Sequence, residues 1–376
     1  MEQRPRLMKA LYVQPYVPAY RVPLFDRLGE RLRTDGGGLT VASAAPMGLQ
    51  SARCDAETGP WHTNVRSRSW STPIGQLRHR SGLGKHLANA DVVVMELDAG
   101  NLNAWLHLGA RRHPPLVLWG HGRSFVSRSH PLTEALRRLL ARTAAHVMTY
   151  SPAGRAHLIG KGVPAPRVTC VGNSTDTVRL RTLLDQRLRR PSHKSEAFDQ
   201  SVIGRNVACY VGGLDGDKRV PFLVSAAQVA HSIDPSFLLL VAGSGTEQHL
   251  LRSAGEAIAW RPRASAADLA DLAVVSRSIW MPGRVGLVAV DALALGRPVL
   301  TTAFPFHAPE FEFLTLGQTV HLLPDEPGEF ARAALQVQSI LSATPAPAAP
   351  EMPTIESVVD AMYGVLHAAA RQDSPT

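Results

Sequence analysis

Residues 281–302, MPGRVGLVAVDALALGRPVLTT, decide the fold of this chain because they read as a turn, a helix and a buried strand in direct succession. Gly286 opens the turn, and apolar residues then recur at helical spacing until Gly296 and Pro298 end the run. The free N–H groups at the start of such a helix attract phosphate. Taken alone, the stretch is equally compatible with an ordinary helix that feeds a parallel strand.

A second glycine turn lies upstream, in residues 207–230, VACYVGGLDGDKRVPFLVSAAQVA. A strand ends before Gly212 and Gly213, and Lys218 stands at the mouth of the turn, just before a helix. Such a lysine is suited to hold a phosphate as a point charge, or is simply a solvated residue at a helix start. A third turn, in LLLVAGSGTEQHLL, follows another buried strand.

Size and composition indicate two domains in one soluble or peripheral protein. The chain has 376 residues, of which 45% are hydrophobic, and this exceeds the usual limit for a single core. Three cysteines without a CxxC motif favour a reducing cytoplasm over a disulfide framework. The amino-terminal segment lacks the apolar core of a signal peptide, and no apolar run approaches the roughly 20 residues of a membrane span.

Positive charge is concentrated in the first half of the chain. Residues 1–205 contain 30 Lys and Arg against 14 Asp and Glu, net +16, whereas residues 206–376 contain 10 against 17, net −7. This asymmetry favours an anionic partner, such as a phosphorylated acceptor or an anionic membrane surface, and is also typical of an arginine-rich solvated surface. The basic clusters lack interleaved aromatic residues, which disfavours nucleic acid.

Strand and helix patterns alternate along the whole chain and predict two parallel α/β sheets. Six apolar runs in the first half, at 7–13, 39–42, 91–96, 115–119, 146–150 and 168–171, are predicted strands. After a polar stretch, six more follow at 207–211, 237–242, 257–260, 278–281, 298–301 and 319–322. Ligands of such sheets bind at the carboxyl ends of the strands, so we expect two doubly wound domains that face a central cleft.

The motifs resemble those of family-4 (group 1) retaining glycosyltransferases, which have the GT-B fold. YVGGLDGDKR, LVAGSGTEQHL and PGRVGLVAVDALALGRPV follow one another as in the carboxyl-terminal domain of that family. QPYVPAYRVPLFDRL, LWGHGRSF and TYSPAGRAHLIGKGVPAPRVTCVGNSTDT match the first half. The implied organisation is a Rossmann-like acceptor-binding domain at 1–188, a linker at 189–205, a Rossmann-like nucleotide-sugar-binding domain at 206–350, and a helix and tail at 351–376 that pack back on the first domain.

The resemblance implies transfer of a sugar from a nucleotide-diphosphate donor to an acceptor, with retention of anomeric configuration and without a metal or other cofactor. Backbone N–H groups would hold the diphosphate, Lys218 would supply charge, and Asp291 would accept hydrogen bonds from the ribose. The implied donor-binding residues are Gly212, Gly213, Lys218, Arg261, Arg263, Arg284, Gly286, Leu287, Val288 and Asp291. His121 and Lys218 are the implied catalytic residues. Tyr20, Arg21, Gly120, Gly122, Glu310 and Glu312 would contact the donor sugar or the acceptor.

The sequence departs from the family pattern at three positions. Gly213 stands where the family has an arginine that binds phosphate together with the lysine. The family's two glutamates, eight positions apart, are replaced by Gly283 and Asp291. We expect Arg284 to restore positive charge, and Glu310 or Glu312 to supply the missing carboxylate.

Two other classes of function stay open at this point. A noncatalytic nucleotide-sugar-binding protein is compatible with Gly213 and Gly283, and a nucleotide-sugar epimerase has the same architecture. A nicotinamide dehydrogenase is disfavoured because no GxGxxG motif follows the first strand. UDP and GDP are both compatible with the donor motifs. The expected acceptor is a glycan, a lipid-diphosphate-linked glycan or a natural product, and the expected location is the cytoplasm or the inner face of the cytoplasmic membrane.

Overall fold

A computed structural model describes residues 7–48, 51, 55–73, 75–123, 130–189, 202 and 204–372. The chain forms two compact units. The first comprises residues 1–175 together with 355–376, and the second comprises residues 176–354. Each unit is an α/β domain built on its own parallel sheet.

The first unit contains a seven-stranded parallel sheet with the order β3-β2-β1-β6-β7-β8-β9. Its strands are β1 Lys9–Gln14, β2 Gly38–Ser43, β3 His62–Asn64, β6 Val92–Glu96, β7 Leu116–Gly120, β8 His146–Thr149 and β9 Val168–Cys170. The chain order reverses beside β1, whose neighbours are β2 and β6. Such a switch point opens a crevice at the carboxyl ends of the strands.

Helices cover both faces of this sheet. They are α1 Val22–Thr34, α2 Gly84–Ala88, α3 Leu102–Gly109, α4 Pro131–Thr143, α5 Pro152–Gly160 and α11 Ile355–Gln372. On one face, α1 and α11 form a core with the strands, through buried residues that include Phe25 and Met362. On the other face, α3, α4 and α5 form a second core through Ala104, Leu140 and Leu158. The return of α11 to the first unit agrees with the predicted architecture.

A two-stranded antiparallel hairpin lies between β3 and α2 in the chain. It consists of β4 Arg66–Thr72 and β5 Gly75–Ser81. The sequence did not predict these strands, because most of their residues are polar or charged and Trp70 and Leu77 alone do not make an alternating apolar pattern.

The second unit contains a six-stranded parallel sheet with the order β12-β11-β10-β13-β14-β15. The strands are β10 Asn206–Val211, β11 Phe237–Ala242, β12 Ile258–Arg261, β13 Ile279–Trp280, β14 Val299–Thr301 and β15 Val320–Leu322. Its helices are α6 Thr177–Arg189, α7 Val220–Ile233, α8 Ala266–Val275, α9 Val288–Leu295 and α10 Pro327–Ile340. The switch point of this sheet lies between β10 and β13. These two strands pair with each other, and on their other sides β10 pairs with β11 and β13 pairs with β14.

One predicted domain boundary requires correction. Helix α6 was assigned to the first domain, which was expected to end at residue 188. Instead, Leu180 and Leu184 of α6 pack with Ala270 of α8 and Ala294 of α9, so the second unit begins at Asp176. Most of the predicted linker, 189–205, lies outside the described residues. Within the described part of the chain, no helix is both long and apolar enough to cross a membrane.

Candidate active site

In the second unit, the glycine turn after β10 and the glycine turn after β11 are hydrogen-bonded to each other at the carboxyl ends of these strands. The N–H of Gly212 donates to the carbonyl of Ala242 at 3.0 Å, and the N–H of Leu214 donates to the carbonyl of Ser244 at 3.0 Å. Gly243 has a φ of +158°, and a Cβ at this position would collide with the carbonyl oxygen of Gly212. Glycine at 243 is therefore required by the close approach of the two turns.

The turn after β10 also contacts the segment after β13, across the switch point. Arg284 N–H donates to the carbonyl of Asp217 at 2.9 Å, and Lys218 Nζ donates to the carbonyl of Arg284 at 2.5 Å. The Arg284 guanidinium lies 4.0 Å from the carboxylate of Asp217. Two of the predicted donor-binding cations, Lys218 and Arg284, are thus brought together from positions 66 residues apart in the chain.

The same contact explains why glycine occupies position 283. A Cβ on Gly283 would lie 2.5 Å from the carbonyl oxygen of Asp217 and 2.6 Å from the carbonyl carbon of Lys218. With this backbone, the glutamate expected from the family pattern has no room. The steric constraint is weaker at position 213. There the nearest atom to an added Cβ is a side-chain oxygen of Asp215, at 3.1 Å, and not a backbone atom.

Helix α9 begins directly after this segment and has Leu287 as its N-cap. The first bonds of the helix run from Ala289 N–H to Gly286 O at 2.9 Å and from Val290 N–H to Leu287 O at 2.9 Å. The N–H groups of Gly286, Leu287 and Val288 precede them and have no intrahelical acceptor, as at any helix start. Asp291 lies in the first turn of α9 and is half-buried.

In the first unit, a cavity of about 410 Å³ lies at the carboxyl ends of β1, β6, β7 and β8. Arg21 is bound on several sides within it. Its Nη1 donates to Gln14 Oε1 at 2.5 Å, its Nη2 donates to the Tyr150 hydroxyl at 2.9 Å, and its Cζ lies 4.4 Å from the ring centre of Trp119. Tyr20 also lines the cavity. Arg21 is thus a fixed cation in the crevice of the first sheet.

His121 enters this cavity from the end of β7, between Gly120 and Gly122. Its ring centre lies 4.7 Å from that of Tyr150. Gly122 has a φ of +76°, and a Cβ there would lie 2.6 Å from the carbonyl oxygen of Gly154. The His121–Gly122 turn is therefore packed directly on the start of α5, which fixes the histidine backbone.

Two family models match the chain. The glycosyl transferase 4-like domain matches residues 23–174, and the glycosyl transferases group 1 model matches residues 205–339. Together they cover most of both units. The chain is a GT-B glycosyltransferase.

Solved structures support the fold over almost the whole length of this glycosyltransferase. HepE of Anabaena, solved with UDP and glucose, is 15% identical, with 96% of this chain and 100% of that chain covered and a TM-score of 0.60. Sucrose-phosphate synthase of Thermosynechococcus elongatus is 16% identical, with 97% of each chain covered and a TM-score of 0.59. UDP-GlcNAc 2-epimerase of Methanocaldococcus jannaschii is 15% identical, with 96% and 100% covered and a TM-score of 0.58. No curated protein matches the sequence significantly.

The remaining predicted residues of the glycosyltransferase differ in their exposure. Arg261 ends β12, and its carbonyl accepts the N–H of Gly243 at 3.0 Å, so the loop after β12 lies beside the third glycine turn. Arg263 is exposed in that loop. Glu310 is buried, with 3% of its surface exposed, whereas Glu312 is exposed. The Ala308 N–H donates to the Val285 carbonyl at 2.8 Å, which brings the Glu310 segment to the start of α9.

His307 is a functional candidate that the sequence did not reveal. The Val285 N–H donates to His307 Nδ1 at 3.1 Å, and Nε2 donates to the carbonyl of Thr302 at 3.2 Å. These partners require the neutral ring with its proton on Nε2. Burial lowers the pKa of His307 to about 4, the charges of Lys218 and Arg284 add to this, and the Thr302 carbonyl opposes it. His307 therefore orients the backbone before α9 without adding charge.

Arg219 is a second residue that was not assigned to the site. Among the described residues other than glycine, Arg219 is the one with a positive φ, at +57°, and it is the N-cap of α7. Its Nη1 donates to Thr302 Oγ1 at 3.2 Å and pairs with the carboxylate of Asp325, while the guanidinium lies over the ring of Phe222. Arg219 thus stabilises the turn that carries Lys218.

Glu96 and Asp98 are carboxylates of the first-unit cavity that sequence reasoning also missed. Glu96 Oε2 accepts from Arg80 Nη2 at 2.7 Å, and Asp98 is paired with Arg78. The MELDAG stretch that contains both residues was identified only as a strand end. Their position at the end of the strand next to β1, where crevice ligands bind, is the signal that would have found them.

Proposed function

We propose that this glycosyltransferase transfers a sugar from a nucleoside-diphosphate donor to an acceptor hydroxyl with retention of anomeric configuration. The observation that carries the proposal is the junction of Lys218 and Arg284 beside the start of α9. Two cations and the N–H groups of Gly286, Leu287 and Val288 supply positive charge and hydrogen-bond donors at one place, which suits a diphosphate, and the carboxylate of Asp217 lies 4.0 Å from Arg284 beside them.

These groups act on the leaving group. As the bond between the anomeric carbon and the diphosphate oxygen breaks, negative charge develops on that oxygen. The acceptor oxygen forms the new bond to the anomeric carbon, and its proton leaves with the diphosphate or with solvent. Fixed N–H groups and Lys218 stabilise the developing charge without reorganising, so the proposed reaction needs no metal ion.

The other predicted residues have supporting roles in this proposal. Asp291, in the first turn of α9, accepts hydrogen bonds from the ribose hydroxyls. Arg261 and Arg263 flank the base, and Glu310 is favoured over Glu312 for a donor-sugar hydroxyl because Glu310 is buried beside the start of α9 whereas Glu312 is exposed to solvent. HepE was solved with UDP, which makes a UDP-sugar the first donor to test.

The acceptor in this proposal occupies the cavity of the first unit that His121 and Arg21 line. The net +16 of residues 1–205 favours an anionic or lipid-diphosphate-linked acceptor and peripheral contact with an anionic membrane face, and the proposed location is the cytoplasm or the inner face of the cytoplasmic membrane. Binding to anionic vesicles is expected to weaken steeply as salt is raised. Salt-independent binding, or none at low salt, argues against the membrane contact.

The decisive experiment measures nucleotide release and product configuration with the purified full chain and a panel of UDP- and GDP-sugars. Release of the nucleoside diphosphate together with an α-linked product from an α-linked donor supports the proposal, and an inverted product contradicts retention. A noncatalytic binding protein, compatible with the missing side chains at Gly213 and Gly283, is stabilised by the nucleotide but releases none. An epimerase converts the sugar without needing an acceptor.

A further inference from the structure

A larger cavity, of about 830 Å³, lies in the first unit apart from the 410 Å³ cavity. It is bounded by the end of β5, by α2, by α3 and by the segment that leads to Pro114. Its apolar wall includes Leu83, Leu87, Met95 and Leu106. This volume is in the range of cavities that bind small molecules.

The charged groups in the wall of this cavity are all basic. Arg80 and Arg112 line it together with three histidines, and none of the described lining residues is Asp or Glu. Arg112 and Leu106 are exposed at its edge, the leucine to 64%. A cavity with an apolar wall and cationic groups is complementary to a molecule that has an anionic group and an apolar chain.

Arg80 is the second observation that points to a ligand. Its side chain is 1% exposed, and its backbone is fixed by Asn103, which accepts from the Arg80 N–H at 2.7 Å and donates to the Arg80 carbonyl at 2.8 Å. Nη2 donates to Glu96, whereas Nε and Nη1 are buried with no hydrogen-bond partner among the described residues. Unsatisfied N–H groups on a buried cation are costly, so they favour an anionic ligand.

We propose that the 830 Å³ cavity binds an amphiphile with a phosphate or carboxylate head group and an alkyl or isoprenoid chain. The head group accepts hydrogen bonds from Nε and Nη1 of Arg80 and pairs with Arg112. The chain packs on Leu83, Leu87, Met95 and Leu106. This site does not depend on the proposed transfer reaction, because none of the implied donor-binding or catalytic residues lines it.

The test is calorimetric titration of the full chain with octyl phosphate, with 1-octanol and with inorganic phosphate. Octyl phosphate is expected to bind at least roughly tenfold more tightly than either of the others, since it alone uses both parts of the cavity. Equal affinity of octyl phosphate and octanol, or of octyl phosphate and inorganic phosphate, overturns the proposal. Each titration is run without and with saturating UDP, because loss of octyl phosphate binding when UDP is present would place the probe at the donor turn instead.

Matched variants locate the binding. Arg112→Gln is expected to weaken the binding of octyl phosphate by roughly fivefold to tenfold. Arg111 is an exposed neighbour outside the cavity wall, so Arg111→Gln should leave the affinity unchanged. Ala88→Phe places a bulky ring in the cavity wall and should weaken binding. Arg80→Lys retains a charge for Glu96 but removes the planar donors, so it should also weaken binding. If Arg112→Gln and Ala88→Phe both bind like the parent, the cavity is not the site.

A final arm separates two sources of the same ligand chemistry. Vesicles of phosphatidylglycerol are compared with phosphatidylcholine vesicles in sedimentation with the parent, Ala88→Phe and Arg111→Gln. Sedimentation with phosphatidylglycerol that Ala88→Phe weakens and Arg111→Gln does not identifies a membrane lipid as the source. Octyl phosphate binding without such sedimentation identifies a free amphiphile.

Discussion

Lys218 Nζ donates a 2.5 Å hydrogen bond to the carbonyl oxygen of Arg284, and so ties the glycine turn after β10 to the segment that precedes α9. The ammonium group thereby has two functions in the proposed donor site. It supplies positive charge, and it holds in place the backbone whose N–H groups complete the anion site. Its loss should therefore affect the site more than the loss of a surface charge.

Lys218→Met is expected to weaken UDP binding by roughly tenfold or more, because both a cation and a loop contact are removed. The measurement is the Kd for UDP by calorimetry. Lys85→Met, at an exposed position of the first unit, is the matched control and should leave the Kd unchanged. A Lys218→Met protein that is folded and binds UDP like the parent would contradict the assigned role.

Leu287→Pro removes one N–H group from the proposed anion site with little cost to the helix. Leu287 is the N-cap of α9 with a φ of −56°, a value that proline adopts, and its N–H has no intrahelical acceptor. Loss of one hydrogen bond to a charged ligand should weaken the binding of UDP by roughly tenfold. Leu287→Ala, which keeps the N–H, is the control. If both variants bind UDP equally, the helix start does not contact the diphosphate.

Gly283→Ala is expected to lower the free energy of unfolding by about 1–3 kcal/mol, because the added methyl group meets the backbone of Asp217 and Lys218. Gly364→Ala lies in α11 with no atom near its added Cβ and should raise stability by about 0.5–1 kcal/mol. Urea denaturation measures both. Restoring the family's glutamate at position 283 should destabilise the protein instead of raising its activity, and a stable, more active variant would refute the steric account.

The neutral ring of His307 predicts a pH dependence of stability. Its pKa is lowered from 6.5 to about 4 on folding, so the unfolded chain binds more protons between these values. The contribution of His307 to stability is complete above pH 6.5, falls as the pH drops, and is lost by about pH 4. His307→Asn does not titrate in this range.

The measurement for His307 is the difference in free energy of unfolding between the parent and His307→Asn across the same pH range. That difference should grow with rising pH and become constant above pH 6.5. His249→Asn, at an exposed position, is the control variant. A difference that does not change with pH would argue against the bonds assigned to the His307 ring.

The sheet strands could largely be predicted from the sequence, because buried strands of parallel sheets are continuous apolar runs. Of the first sheet's strands, β3 was missed: His62, Thr63 and Asn64 form an edge strand without an apolar signal. The placement of α6 was also wrong. Its Leu180 and Leu184 identify an apolar face, but a helical pattern does not say which domain covers that face.

The motifs indicated which turns form the candidate site, but not how the turns contact one another. From the sequence, Gly283 indicated the loss of a functional side chain. The structure gives a steric reason for glycine there, since the backbone of Asp217 and Lys218 occupies the space that a side chain would need. His307 could not be found from the sequence because its partners, Val285 and Thr302, are set by the three-dimensional packing.

The return of α11 to the first unit affects the order in which the protein can fold during synthesis. Ile355, Met362 and Leu366 are buried in the core that contains Phe25 and Tyr12, yet the ribosome makes them only after the whole of residues 176–354. Until then, the apolar surface of α1 lacks its partner. The second unit can therefore reach its native structure before the first unit does. Most of the first unit is synthesised earlier, but its core is incomplete until α11 has been synthesised.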